Sequence, residues 1–103
     1  MRVWSEQEIV DLIKESNYAV ERAILALYNR QTEREKTEGL TIHNNNVGFN
    51  AWDAKRGSYY AEWIMQGKLL SGNHIDRARE MLIKYRGQLT EIANKNEKEK
   101  ENG

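Results

Sequence analysis

The side chains with the most capacity for chemistry are basic. Between positions 68 and 88 the chain sets Lys68, Arg77, Arg79, Lys84 and Arg86 against Asp76 and Glu80 alone, although 16 basic and 16 acidic residues cancel over the whole chain. Arg79 and Arg86 are seven residues apart, as are Arg77 and Lys84, so on a single helix they form two rows flanking an apolar stripe. Such rows neutralise the phosphates of a nucleic-acid backbone, and Lys55 and Arg56 extend the patch. Trp52, Tyr59, Tyr60 and Trp63 fall within twelve residues, where exposed rings would stack on bases. Helical spacing assigns Trp52, Tyr59 and Trp63 to the core, which leaves Tyr60 as the stacking candidate and Trp52 as its substitute. Composition alone favours a plainer account of the basic rows: a solvated flank, partly paired with acids of the first helix.

Catalytic chemistry has less to stand on. Asp53 and Glu62 can be drawn as a carboxylate pair, but an acid in the first turn of a helix more commonly serves the positive end of that helix. The two histidines, His43 and His74, have no His or carboxylate at i+3 or i+4 that would make a helical metal pair. The glycines punctuate elements, and none precedes a Lys-Ser or Lys-Thr of a phosphate loop. No cysteine is present, so a thiol nucleophile, a thiolate zinc site and a disulfide framework are excluded together. The expectation is a non-enzymatic protein with no metal and no cofactor.

These residues need a scaffold, and 103 residues bound it to one small domain that buries roughly 65% of its unfolded surface. No apolar run approaches the ~20 residues that span a bilayer, and the start Met1-Arg2-Val3-Trp4-Ser5-Glu6 turns acidic at once. Absence of cysteine and of a signal-like start predicts a cytoplasmic protein without membrane contact. Zero net charge leaves any case for nucleic acid to local patches.

No proline interrupts the chain, and apolar residues recur at helical spacing. The fold class is all-α, a bundle of four to five helices. Ser5 and Glu8 form a capping-box pattern, predicting a helix from Glu6 to Ser16 with Ile9, Leu12 and Ile13 inward and Trp4 or Val3 stapling its start. Asn17 caps a second helix to about Lys36, buried through Val20, Ala23, Ile24, Leu27 and Tyr28. A polar Asn-rich loop, with room for a short hairpin, follows from Gly39 to Gly48. Phe49 is read as a plug that folds this loop onto the bundle. Ala51–Arg56 is helical until Gly57 breaks it, after which Ser58 caps a helix ending at Gly67. Ser71 caps a last long helix in which Ile75, Ala78, Leu82, Tyr85, Leu89 and Ile92 form the strongest periodic signal. Residues 1–94 make the domain, and the charged tail 95–103 has nothing apolar to bury and is expected to be flexible.

The order Asn46-Val47-Gly48-Phe49-Asn50, Asp53-Ala54, Gly57-Ser58, Ala61, Gly67, Leu69-Leu70-Ser71, Ala78-Arg79, Leu82, Lys84-Tyr85 and Gln88-Leu89 resembles a small helical module of phage, prophage and plasmid proteins. Ala26–Thr32 is similar to the helix that often precedes it, so the resemblance covers about residues 26 to 89. That module stands alone or is attached to larger proteins, some helicase-like. The resemblance implies a mobile-element protein of a bacterial host, working near nucleic acid and carrying no catalytic residue. It marks Phe49, Asn50, Asp53 and Tyr85 as motif positions. Family members commonly start the last helix with Leu-Thr or Leu-Ser and then Lys-Gln, whereas Leu70-Ser71 here precedes Gly72-Asn73-His74. Two functions follow: an accessory module binding DNA or RNA through Lys68, Arg77, Arg79, Lys84, Arg86 and Tyr60, or a protein-interaction module that docks on a host or phage protein or on itself.

Overall fold

Ser5 and Glu8 satisfy each other's backbone at the start of the first helix, the Ser5 hydroxyl accepting from the Glu8 N–H at 3.1 Å and the Glu8 carboxylate from the Ser5 N–H at 3.0 Å. In the computed structural model, which describes residues 3–38, 48–50 and 52–102, this capping box opens α1 (Glu6–Glu15). Four more helices follow: α2 (Asn17–Glu38), α3 (Ala54–Met65), α4 (Gly72–Ile83) and α5 (Arg86–Asn102). The chain is all-α among its described residues, and no described helix is long and apolar enough to cross a membrane. The Asn-rich loop, its suggested hairpin and His43 lie outside the described residues.

The central helix is α2, which packs against each of the other four. Val20, Ile24 and Leu27 on its inner stripe are fully buried with Ile13 of α1 and Leu82 of α4. On α1 the buried set is Ile9, Val10 and Ile13, whereas Leu12, expected inward, is 41% exposed. The stripe through Ile9 and Ile13 is common to both faces, and packing against the neighbouring helices selects its Val10 side. Trp4 is half-buried, and its backbone N–H and carbonyl are clasped by the Asn94 side chain at 2.7 and 3.2 Å, tying the start of the chain to α5. Ser16, not Asn17, caps α2, its hydroxyl accepting from the Ala19 N–H at 3.1 Å.

Three expectations about the second half change. Gly57 does not break a helix; it lies inside α3, at a point where a Cβ would collide with the Phe49 ring. The last periodic run is two helices: α4 ends at Ile83, Lys84 and Tyr85 form a turn, and α5 starts at Arg86. The apolar spacing persists across that turn, so Leu82, Tyr85 and Leu89 all remain buried, and periodicity alone does not see the break. Finally, α5 runs to Asn102, so the helix extends into the charged segment expected as a tail, which adds no apolar side chain to the core. Gly67 ends α3 with φ +85 as the sequence requires, while Ser71 occupies the cap of α4 without a side-chain bond.

Candidate functional site

The segment before α3 is fastened to the α4–α5 turn by polar contacts. Asn50 begins the fastening: its side-chain oxygen accepts the Asp53 N–H at 2.9 Å, an Asx-type turn that starts the helix. Asp53 is thereby free of capping duty, and its buried carboxylate accepts from the Tyr85 hydroxyl at 2.7 Å and pairs with the Lys84 ammonium at 2.8 Å. The same hydroxyl accepts the Asn50 N–H at 3.0 Å. Burial above all, and then the bond to Asp53, pushes the Tyr85 phenol well above its ordinary range, with the Asn50 N–H opposing. It stays a proton donor. Gln88 completes the clasp, its amide receiving the Gly48 N–H at 2.8 Å and donating to the Gly48 carbonyl at 3.0 Å.

Phe49 is the apolar half of this clasp. Its ring is 4% exposed and meets Tyr85 edge to face at 5.7 Å, on the bare patch of α3 left by Gly57. The four motif positions Phe49, Asn50, Asp53 and Tyr85 therefore meet in one structural unit. Asp53 is held by Tyr85 and Lys84, while Glu62 lies exposed on α3.

The predicted basic rows do not share one helix but are divided among the segment before α4, α4, the turn after it and α5, and most of their members are engaged within the chain. Arg79 turns inward, its Nε donating to the Ile13 carbonyl at 2.8 Å and its guanidinium also reaching the Asn17 side chain and Asp76. It caps the end of α1, satisfying a carbonyl that helix geometry leaves over. Arg86 pairs with Glu6 at 3.2 Å, across the bundle, and Lys84 with Asp53. Lys68 lies over the Trp63 ring at 4.2 Å, a cation–π contact, and Trp63 is fixed by its indole N–H on the Leu69 carbonyl. Arg77 is exposed and, unlike the other four, makes no ion pair, hydrogen bond or ring contact with a described residue.

The aromatic assignments also invert. Tyr60, the stacking candidate, is 3% exposed, its ring edge-on to Tyr59 and His74, so it reaches the surface only as part of the wall of a groove described below. Trp52 and Tyr59, assigned to the core, are 89% and 54% exposed. Because α3 is continuous through Gly57, its buried face runs Gly57, Tyr60, Ala61, and Tyr59 falls outside it. The small residues Gly57 and Ala61 one turn apart were the available signal of that close approach.

What this arrangement exposes is an open groove between the start of α3 and α4, in two adjoining lobes of about 550 and 380 Å³. Trp52, Asp53, Arg56 and Arg77 line both lobes; Lys55, Tyr59, Tyr60 and His74 close one, and Glu80, Met81 and Lys84 the other. Lys55 and Arg56, like Arg77, have no acidic partner among the described residues. The first turn of α3 contains no acid and no side-chain cap, so the positive end of the helix adds to the groove. Comparison of the chain with protein-family models, curated proteins and solved structures finds no match.

Proposed function

We propose that this chain is a non-enzymatic accessory module that binds nucleic acid, and that it does so through the α3–α4 groove and not along the last helix. The observation that carries the reading is the exposure of three cations without an acidic partner among the described residues, Lys55, Arg56 and Arg77, on one concave surface beside Trp52. Unpaired guanidinium and ammonium groups on a neutral protein are available to phosphates, and releasing the phosphates' counterions supplies the binding energy. Lys84 is half-exposed even while bound to Asp53 and adds to the field. The resemblance of Gly48-Phe49-Asn50 and its partners to a mobile-element module supports the same reading.

Fluorescence-anisotropy titration of labelled DNA and RNA at two salt concentrations tests it. Binding should weaken with salt along a log–log slope of about −2 to −4, the range for three or four phosphate contacts on single strands and duplexes. An Arg56→Glu, Arg77→Glu double variant should stay folded and lose that binding. Absence of binding at low salt would overturn the reading and direct the search to a protein partner.

A further inference from the structure

We infer that the nucleic acid taken by this groove is single-stranded, with a base stacked on Trp52 and neighbouring phosphates on Arg56 and Arg77. This rests on the nucleic-acid reading above and goes one step past it. Phosphate contacts alone do not distinguish a duplex from a strand, so the discriminating feature must be the ring. Trp52 is 89% exposed and contributes almost nothing to the core. In a duplex the faces of the bases are already covered by their neighbours, and the outer surface offers phosphates, sugars and base edges. An indole face gains little there. A single strand presents base faces and phosphates alternately along its length, which is the alternation that Trp52, Arg56 and Arg77 present as shared lining of both lobes.

The mounting of the ring supports the same assignment. The residue after it, Asp53, is held through its N–H by Asn50 and through its carboxylate by Tyr85 and Lys84. The backbone on the C-terminal side of the indole is thus held before any ligand arrives, which lowers the freedom lost on binding. Tyr59, exposed on the next turns of α3 and lining the larger lobe, is placed to take a second base.

The test titrates labelled oligothymidylate, oligouridylate and a hairpin duplex with equal numbers of phosphates, using the full chain. The single strands should bind at least about tenfold more tightly than the hairpin at the same salt, and Trp52→Ala should weaken them about tenfold, bringing their affinity close to that of the hairpin. Trp52→Phe keeps a stacking face and should recover most of the loss. The thymidylate and uridylate arms distinguish DNA from RNA. Equal affinity for strand and hairpin, or an unaffected Trp52→Ala variant, overturns the single-strand inference while leaving phosphate binding in place. No salt-dependent binding to any of the three probes overturns both.

Discussion

The Tyr85 hydroxyl donates to the Asp53 carboxylate at 2.7 Å across a sequence separation of 32 residues, and it accepts the Asn50 N–H at 3.0 Å. One oxygen thus joins the turn between α4 and α5 to the start of α3, and both partners are buried or half-buried. Tyr85→Phe keeps the ring against Phe49 and removes only this oxygen. It leaves the Asn50 N–H and one acceptor site of Asp53 unsatisfied, so we expect a loss of about 1–3 kcal/mol in denaturant unfolding.

The same group has a pH signature. Its folded pKa is raised above the ordinary phenol value, so the folded state holds the proton more tightly than the unfolded state does. That contribution is fully present below the unfolded pKa of about 10 and is lost as pH rises from there toward the folded value. Stability of the wild type should therefore fall above about pH 10 more steeply than that of Tyr85→Phe. Parallel alkaline limbs for the two proteins would show that the hydroxyl is not held as described.

Gly57 yields a prediction whose sign separates two accounts of the same residue. If it were a helix break exposed to solvent, Gly57→Ala would stabilise by up to about 1 kcal/mol through helix propensity. In the structure a Cβ at Gly57 would stand 2.4, 2.5 and 2.6 Å from three carbons of the Phe49 ring. We expect a loss of about 1–3 kcal/mol from overpacking. Phe49→Ala should itself cost about 3–5 kcal/mol, and adding Gly57→Ala to it should cost almost nothing further. Strict additivity of the two substitutions in urea melts would contradict the contact.

How much of this was legible beforehand differs by element. Ser5 and Glu8, Gly67, and the stripe Val20, Ala23, Ile24 and Leu27 act through local bonds or one helical period, and the sequence shows them directly. Phe49 as a plug was legible because a lone phenylalanine in a polar stretch has to be buried somewhere. The basic rows failed for a long-range reason. Arg79 and Arg86 are spent on Ile13, Asn17 and Glu6, residues 62 to 80 positions away, and no local pattern announces such partners. Trp52 and Tyr60 exchanged places because Gly57 was read as a stop, which reset the helical phase of everything around it.

The end of α5 offers a separate test of where the domain stops. Asn94 clasps both polar groups of the Trp4 backbone, whereas beyond Ala93 no apolar side chain joins the core. Truncation after Asn94 should lower Tm by less than about 4 °C, the equivalent of ~0.5 kcal/mol in a domain of this size. Asn94→Ala should cost more, about 1–2 kcal/mol, because two half-buried backbone groups lose their partner at once. A truncated chain that melts far below the wild type would place the final turns of α5 inside the folding unit.

Arg77 and Arg79 sit two residues apart on α4 and should behave as opposites under the same substitution. Arg79→Glu removes the cap of the α1 carbonyls and sets a carboxylate against the Ile13 oxygen and beside Asp76. The buried acceptor is left unpaired and faces a like charge, so a loss of about 2–4 kcal/mol is expected, with reduced Tm whatever the ligand. Arg77→Glu breaks no contact with a described residue and should leave the Tm within the range of ordinary surface changes, about ±0.5 kcal/mol. Its effect should instead appear in the anisotropy titration, as weaker binding and a salt slope shallower by about one unit. Measuring both variants by thermal melting and by titration therefore separates the cation that holds the bundle together from the cation that faces the groove. Were Arg77→Glu to unfold the chain, or to bind as the wild type does, the groove would lose its principal phosphate contact and the nucleic-acid reading its main support.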